Sequence, residues 1–264
     1  MSFMTAYLVF GGAAVLLAGA LIFGPGGRPS ILSPGGEAAR PAFWERISVH
    51  LIIYGVWAIG FGSILVRGPP AGAWDVHFSF ENAWPVVEPA EWFYASIYLV
   101  PLAMPWLAPT RGALRRYALG LWLLLAVSTA AFLLLPIISP PRPFTPSSFA
   151  GQLLAWDTSR GDFAAAACPS FHTLWAMLCA DLLASRGPRW AWAGWLWALA
   201  VMVSCVITGA HALVDVLASL ALYPLLLSRR LRFWPWFYAA ADRFFSKRPR
   251  SKPTTAPIAN PPNP

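Results

Sequence analysis

The chain has 264 residues, of which 58% are hydrophobic and only 11% are charged. Ordinary soluble domains carry about 25% charged residues, so this composition excludes that class and indicates an integral membrane protein. The formal net charge is +8, but eight of the nineteen basic residues lie between Arg229 and Lys252, so the excess belongs mainly to a tail and predicts no nucleic-acid partner.

Seven apolar runs follow one another, with lengths near the roughly 20 residues that a bilayer-crossing helix needs. They are Met4–Phe23, Ile47–Val66, Trp92–Leu107, Tyr117–Ile138, Pro169–Ser185, Trp190–Thr208 and His211–Leu227. The first run has no positively charged leading segment, so we expect a retained span and not a cleaved signal peptide. The predicted fold is an all-α, polytopic transmembrane helix bundle of about seven spans.

The chain divides into two predicted parts. Residues 1–232 should form one integral membrane domain. Residues 233–264 form a basic tail that is rich in proline near its end. We expect it to be largely disordered, chiefly beyond about Lys247, because the residues after Arg250 lack any apolar period.

Loop charges predict the orientation of the bundle. With seven spans, one side of the membrane collects a basic set: Arg28, Arg40, Arg46, Arg111, Arg115, Arg116, Arg186, Arg189 and the tail. The opposite side collects the acidic 68–90 loop, the 139–167 loop and the turn at 208–210. Because cytoplasmic loops are enriched in Lys and Arg, the basic side should be cytoplasmic, with the C-terminus inside. The expected location is the cell (inner) membrane.

Three short motifs lie on the predicted non-cytoplasmic side, outside or in the periplasm. In the first, Arg142 stands among prolines, and its planar guanidinium suits phosphate. In the second, Pro169 favours a helix start, whose free N–H groups form an anion site beside Ser170 and His172. Ser170 is a candidate both as helix cap and as phosphate ligand.

The third motif pairs His211 with Asp215. Four residues make one helical turn, so the two side chains should share a face. A carboxylate in that position can hold the imidazole in one tautomer, as the acidic member of a catalytic triad does.

In this order, the motifs resemble those of the superfamily of type-2 phosphatidic acid phosphatases and vanadium haloperoxidases. The matching pieces are Arg142-Pro143, then Pro-Ser-x-His ending at His172, then His-x-x-x-Asp from His211 to Asp215. The resemblance covers roughly residues 119–227. It implies that the last six spans form the family's six-helix core and that the first span is an addition.

The resemblance also implies a phosphatase or phosphotransferase acting on a lipid phosphate, without metal or other cofactor. His211 would be the nucleophile that forms a phosphohistidine, and Asp215 would orient it. His172 would protonate the leaving alkoxide and then activate water or an acceptor alcohol. The phosphate would be held by Arg142, Ser170 and the backbone N–H groups before Phe171.

Two positions depart from the family pattern. Leu135 stands where a Lys is common, and Cys205 stands where an Arg is common. In this respect the chain is similar to the branch that includes fungal inositol phosphorylceramide synthases. Arg160 either replaces a missing cation or is a solvated loop charge. Asp157, nearby, is expected to be an ordinary loop residue.

Other functions stay open beside hydrolysis of a lipid phosphate. One alternative is an inositol-phosphate-type head-group transferase. Others are a non-catalytic binder of lipid phosphate, because two cations are missing, and a proton-coupled transporter or channel whose intramembrane His and Asp relay protons. The three cysteines, Cys168, Cys179 and Cys205, have no metal-site spacing and should be packing residues.

Overall fold

The computed structural model describes residues 8–17, 36–159 and 165–227. Over these residues the helices are α1 Leu8–Leu17, α2 Phe43–Arg67, α3 Glu91–Ala95, α4 Val100–Leu107, α5 Arg111–Leu134, α6 Phe149–Thr158, α7 Phe171–Ala184, α8 Pro188–Ile207 and α9 Leu213–Leu227. Two short strands, β1 Trp74–Asp75 and β2 Ile137–Ile138, pair in parallel. The predicted tail lies outside the described residues, as do both ends of the first predicted span.

The all-α fold class is confirmed, and the helices fit a membrane protein. Helices α2, α5 and α8 are long and apolar enough to cross a bilayer, while α1, α7 and α9 are apolar but shorter. Helix α7 begins two residues later and ends one residue earlier than the apolar run that predicted it, and α9 begins two residues later and ends at the same residue. The count of seven spans stays a prediction.

The third predicted span is broken into two short helices. A 3₁₀ turn, Ser96–Tyr98, separates α3 from α4, and Pro101 follows in the first turn of α4. Proline has no N–H to donate to the preceding turn, so an unbroken α-helix through this point would lose a hydrogen bond. The break gives this segment a different path from that of a straight span.

Helix α7 lies at the centre of the bundle, between α5, α8 and α9. Its contact with α8 is close, because a Cβ on Gly194 would lie 3.1 Å from the Cα of Ala180. Small residues allow such an approach and increase the packing contacts that hold helices together in lipid. The start of α7 is therefore at the middle of one end of the bundle.

At that end, three separate segments are joined by hydrogen bonds. The β1–β2 pair connects the 68–90 segment to the chain that follows α5. The buried carboxylate of Glu81 accepts hydrogen bonds from the N–H groups of Phe78 and Leu213, both at 2.8 Å. Leu213 is the first residue of α9, where an N–H lacks an intrahelical acceptor and a negative charge is favourable.

The 139–167 segment, predicted to be a loop, contains helix α6. Ser148 caps α6 by accepting a hydrogen bond from the N–H of Gly151 at 3.0 Å. The Glu88 carboxylate receives the N–H of Ser147 at 2.8 Å and the hydroxyl of Ser148, so α6 is fixed to the 68–90 segment. The short helix brings its own side chains towards the start of α7.

Candidate active site

The start of α7 is fixed to α9. The Ser170 hydroxyl accepts the N–H of Thr173 at 3.4 Å and so caps the helix. The backbone N–H of Ser170 donates to the Asp215 carbonyl at 3.1 Å, and the Ser219 hydroxyl donates to the Ser170 carbonyl at 3.0 Å. The Ser170 side chain is completely buried, so the structure shows its capping contact and leaves its predicted contact with phosphate a prediction.

His211 and Asp215 lie together, although His211 precedes α9 by two residues. Nδ1 of His211 is 3.2 Å from Oδ2 of Asp215, which also accepts the N–H of Ala212 at 3.0 Å. Asp215 is completely buried and His211 nearly so. A carboxylate only accepts hydrogen bonds, so Nδ1 of His211 carries the hydrogen and its Nε2 lone pair is directed away from Asp215.

His172 lies against that second nitrogen of His211. Its Nδ1 is 3.2 Å from Nε2 of His211, and its Nε2 is 3.4 Å from the Tyr98 hydroxyl. The Tyr94 ring stacks on His172 with 4.4 Å between the ring centroids. The structure thus brings the predicted residues His172, His211 and Asp215 into one hydrogen-bonded group.

Sequence reasoning missed the tyrosines and misplaced Asp157. Asp157 lies in α6 and not in a loop, and its carboxylate accepts the Tyr98 hydroxyl at 3.1–3.2 Å. Tyr94 and Tyr98 are four residues apart, and that spacing on one helical face was the available signal. Nothing in the sequence linked them to Asp157, which is 59 residues from Tyr98.

Arg142 lies beside the site and contacts backbone carbonyls. Its Nη1 donates to the carbonyls of Glu81 and Trp84 at 3.2 and 2.9 Å, and its Nη2 donates to that of Val206. The side chain is only 6% exposed, and the burial lowers the pKa of Arg142 from its usual value. Gly209 makes this fit possible, since a Cβ there would lie 2.7 Å from Nε of Arg142.

A cavity of about 330 Å³ opens beside the two histidines. Its wall is mostly aromatic and aliphatic, and it runs between α2, α5 and α7. The lining residues are Tyr54, Trp57, Phe61, Ile64, Tyr94, Ile97, Tyr98, Leu125, Ser128, Thr129, Phe132, Ser139, Pro141, Trp156, Asp157, Thr158, Ala166, Phe171, His172, Trp175, Ala210 and His211. Among the described lining residues there is no Lys or Arg; Arg160 lies outside the described residues.

The family model of the PAP2 superfamily matches residues 73–228, which is more than half of the chain. The chain belongs to the PAP2 superfamily. No curated protein and no solved structure matches the chain. The matched range contains all three motifs, and membership supports an enzyme of phosphoester chemistry.

Cys205 and Leu135 are the two positions at which this PAP2 superfamily member departs from the family pattern. Cys205 is completely buried, with its Sγ 3.9 Å from the Ser170 hydroxyl, and Leu135 is half exposed after the end of α5. In the described part of the chain, no cation takes the place of either missing residue at the cavity.

Two acidic groups near the PAP2 site, the buried Glu91 and the partly buried Cys168, have surroundings that raise their pKa values. Glu91 is completely buried, and neither carboxyl oxygen has a hydrogen-bond partner among the described residues. Burial, and then the charge of Asp157, raise the pKa of Glu91 to about 8. Burial, and then Asp215, raise the pKa of the Cys168 thiol to about 12, so this thiol stays protonated at neutral pH.

The ranges 8–17, 36–159 and 165–227 contain no group of three or more His, Cys, Asp and Glu side chains placed to hold a metal ion. Catalysis without metal or other cofactor therefore stays the prediction made from the resemblance.

Proposed function

We propose that this protein is a membrane-embedded lipid phosphatase or phosphotransferase that uses His211 as its nucleophile. The observation that carries the proposal is the contact between Nδ1 of His211 and the buried Asp215 carboxylate at 3.2 Å. That contact leaves Nε2 with its lone pair at the cavity, where a nucleophile is needed.

In the first step, Nε2 of His211 attacks the phosphorus atom. The bond from phosphorus to the alkoxide oxygen breaks, its electron pair goes to the oxygen, and His172 supplies the proton. Asp215 stabilises the positive charge that develops on His211. In the second step, His172 takes a proton from water or an acceptor alcohol, whose oxygen bonds to phosphorus as the bond from phosphorus to Nε2 breaks.

The phosphoryl oxygens would lie at the start of α7. The N–H groups of Phe171 and His172 are in the first turn, where a helix offers them no acceptor and the helix dipole favours an anion. Arg142 would contribute mainly its charge, because its hydrogen bonds run to three backbone carbonyls. Arg160, outside the described residues, is a second proposed cation.

The shape of the cavity supports a lipid substrate. On α2 its wall runs from Tyr54 to Ile64, which is about 15 Å along a helix, and it continues on α5 from Leu125 to Phe132. An aromatic and aliphatic wall of that length suits a hydrocarbon chain better than a polar metabolite. The two histidines lie where the polar end of such a substrate would be.

Head-group transfer is the second candidate function. The absence of cations at Leu135 and Cys205 resembles the inositol phosphorylceramide synthase branch, and the Asp157 carboxylate on the cavity wall can accept hydrogen bonds from acceptor hydroxyls. The two candidates differ only in the molecule that attacks the phosphohistidine.

The deciding experiment incubates purified protein with glycerolipid, sphingolipid and isoprenoid phosphates, in the presence of a chelator, with and without inositol or other alcohols. We expect phosphate release or head-group transfer, together with an acid-labile phosphoprotein that His211→Ala abolishes. His50→Ala serves as the matched control, because His50 lies on α2 outside the cavity wall. Binding without turnover would favour a lipid-phosphate binder, and proton-dependent uptake into liposomes would favour a transporter.

A further inference from the structure

A continuous series of hydrogen-bond contacts passes through both histidines and ends in a carboxylate on each side. Asp215 Oδ2 is 3.2 Å from Nδ1 of His211, whose Nε2 is 3.2 Å from Nδ1 of His172. Nε2 of His172 is 3.4 Å from the Tyr98 oxygen, which is 3.1 Å from Oδ2 of Asp157. His172 therefore has a carboxylate partner of its own, reached through a phenol.

We propose that Tyr98 and Asp157 are positioning residues that hold His172 as the proton donor, as Asp215 holds His211 as the nucleophile. The proposal rests on the function proposed above and adds two residues that the superfamily motifs do not contain. Tyr98 and Asp157 act through His172 and need not touch the phosphate.

Counting hydrogens supports the proposal. The series has four contacts between polar atoms, which are the gaps to be filled, and each contact needs one hydrogen to be a hydrogen bond. Two neutral imidazoles and one phenol supply three hydrogens, and ionised carboxylates supply none. All four gaps are filled only when the pair of histidines holds one additional proton, which is the proton that the leaving alkoxide requires.

The additional proton lies between the two rings, and the two ends of the series compete for it. Asp215 favours its presence on His211, where it would block the nucleophile. Tyr98, polarised by donation to Asp157, favours its presence on His172. The Tyr94 ring, stacked on His172 at 4.4 Å, adds the attraction of an aromatic face for a cation.

The contacts also assign one task to each nitrogen of His172. Nε2 keeps its hydrogen, which it donates to Tyr98, while Nδ1 faces His211 and the position of the phosphate. In the first step the breaking bond leaves its electron pair on the alkoxide oxygen, which takes the proton from Nδ1. Neutral His172 then carries hydrogen on Nε2 alone, and its Nδ1 lone pair takes the proton of the attacking water.

The first test compares Tyr98→Phe and Asp157→Asn on two substrates. On an alkyl phosphate, each variant should lose about 10- to 100-fold in turnover, less than the roughly 10²–10⁴-fold worth of a general acid. On a phosphoester with a good phenolate leaving group, phosphoprotein formation should stay within about threefold of wild type, because such a group leaves without protonation. Asp75→Asn is the control, since Asp75 pairs with His77 outside the cavity.

Equal losses on both substrates would assign the two residues a purely structural role and overturn the proposal. Unchanged turnover of the alkyl phosphate would overturn it as well. Either outcome leaves the wild-type activity in place, so it does not contradict the proposed function.

The second test reads the His172 ring directly by ¹⁵N nuclear magnetic resonance of histidine-labelled protein, with His172→Gln to assign the signals. Wild type should show hydrogen on Nε2 of His172, and Tyr98→Phe should shift the population towards the Nδ1 tautomer. An unchanged ratio overturns the proposal even in an active enzyme. The expected shift in a protein without phosphoester turnover would support the hydrogen-bond arrangement while contradicting the proposed function.

Discussion

Nε2 of His211 and Nδ1 of His172 are 3.2 Å apart, so the nitrogen proposed as nucleophile and the nitrogen proposed as proton donor are in direct contact. A reacting phosphorus atom must come within about 3–3.5 Å of the nucleophile. On the proposed mechanism, the phosphate therefore has to enter between the two rings and separate them. His172 is the less buried of the two, so its ring is the one expected to move.

The division of labour between the histidines gives the first prediction. His211→Ala should abolish turnover and any acid-labile phosphoprotein. His172→Ala should lose about 10²–10⁴-fold on alkyl phosphates but still form a phosphoprotein from an activated phenyl phosphate, and that intermediate should persist. Rapid-quench labelling measures both. If the phosphoprotein instead accumulates in His211→Ala and never forms in His172→Ala, the two roles are exchanged.

Asp215→Asn should keep the fold and lose turnover. The Asn amide oxygen can take the position of Oδ2 and accept hydrogen bonds from Ala212 and His211. The substitution removes the negative charge that stabilises imidazolium and fixes the tautomer of His211. We expect a fall in turnover of about 10²–10⁴-fold, in the range seen when a triad carboxylate becomes an amide. Steady-state kinetics at matched melting temperature measures it, and near-wild-type turnover would contradict the orienting role.

Arg142→Lys should destabilise the protein as well as slow it. An ammonium cannot reproduce the guanidinium bonds to three carbonyls, so the variant should lose at least the roughly 1.5–3 kcal/mol of one charged hydrogen bond. Arg67→Lys is the control, since exposed Arg67 contacts the single carbonyl of Leu133. Thermal denaturation in detergent measures the loss. Reduced turnover at unchanged stability would instead point to a role confined to the phosphate.

Glu91→Gln should change how stability depends on pH. The pKa of Glu91 is about 8 in the folded protein against a usual 4.5, so between these values the unfolded chain releases a proton that the folded protein keeps. The contribution of Glu91 to the free energy of unfolding of the wild type therefore falls as pH rises from about 4.5 to 8. The variant should melt like wild type at low pH and several degrees higher at pH 8.

Glu88→Gln is the control, because the pKa of Glu88 is shifted in the opposite direction from that of Glu91. Hydrogen bonds from Ser148 and Ser147 lower the pKa of Glu88, so its contribution to stability is present at neutral pH and lost on acidification. Replacing it should lower the melting temperature at pH 7. A parallel response of the two variants would show that Glu91 is ionised in the folded protein.

Loop accessibility tests the predicted orientation. Thr145→Cys, in the segment between β2 and α6, should react with a membrane-impermeant thiol reagent added to intact cells, and Arg189→Cys should not. Background labelling should be slow, because Cys179 and Cys205 are buried and the pKa of Cys168 is about 12. The reverse pattern would place the active site on the cytoplasmic side.

Sequence patterns predicted the helical class and the three residues of the histidine group for physical reasons. Apolar runs of bilayer length leave few alternatives to helices, since backbone groups in lipid must be satisfied within the chain. His211 and Asp215 are four residues apart, so local geometry alone brings them together. His172 could be placed beside them because three motifs had to share one end of the bundle.

The remaining contacts depend on tertiary packing that leaves no periodic signal. Tyr98 meets Asp157 only because α6 packs against α3 and the turn at Glu88–Ala90 that precedes it. Arg142 binds backbone carbonyls. Every residue type has the same backbone carbonyl, so the identity of these partners leaves no signal in the sequence. Glu81 receives the N–H of Leu213 from a point 132 residues further along the chain. Such pairings follow from the completed fold and cannot be deduced from spacing.

The hydrogen bonds that fix Ser170 to Asp215 and Ser219 have a consequence for biogenesis. Translation delivers α7 to the bilayer before α9, and until α9 arrives His172 has neither its partner ring nor the anchor of its helix start. On the proposed mechanism, a nascent chain at this stage should therefore be unable to react with the lipids that surround it during insertion. The proposed activity should begin only when α9 is in place, because a chain that stalls before residue 211 lacks the proposed nucleophile.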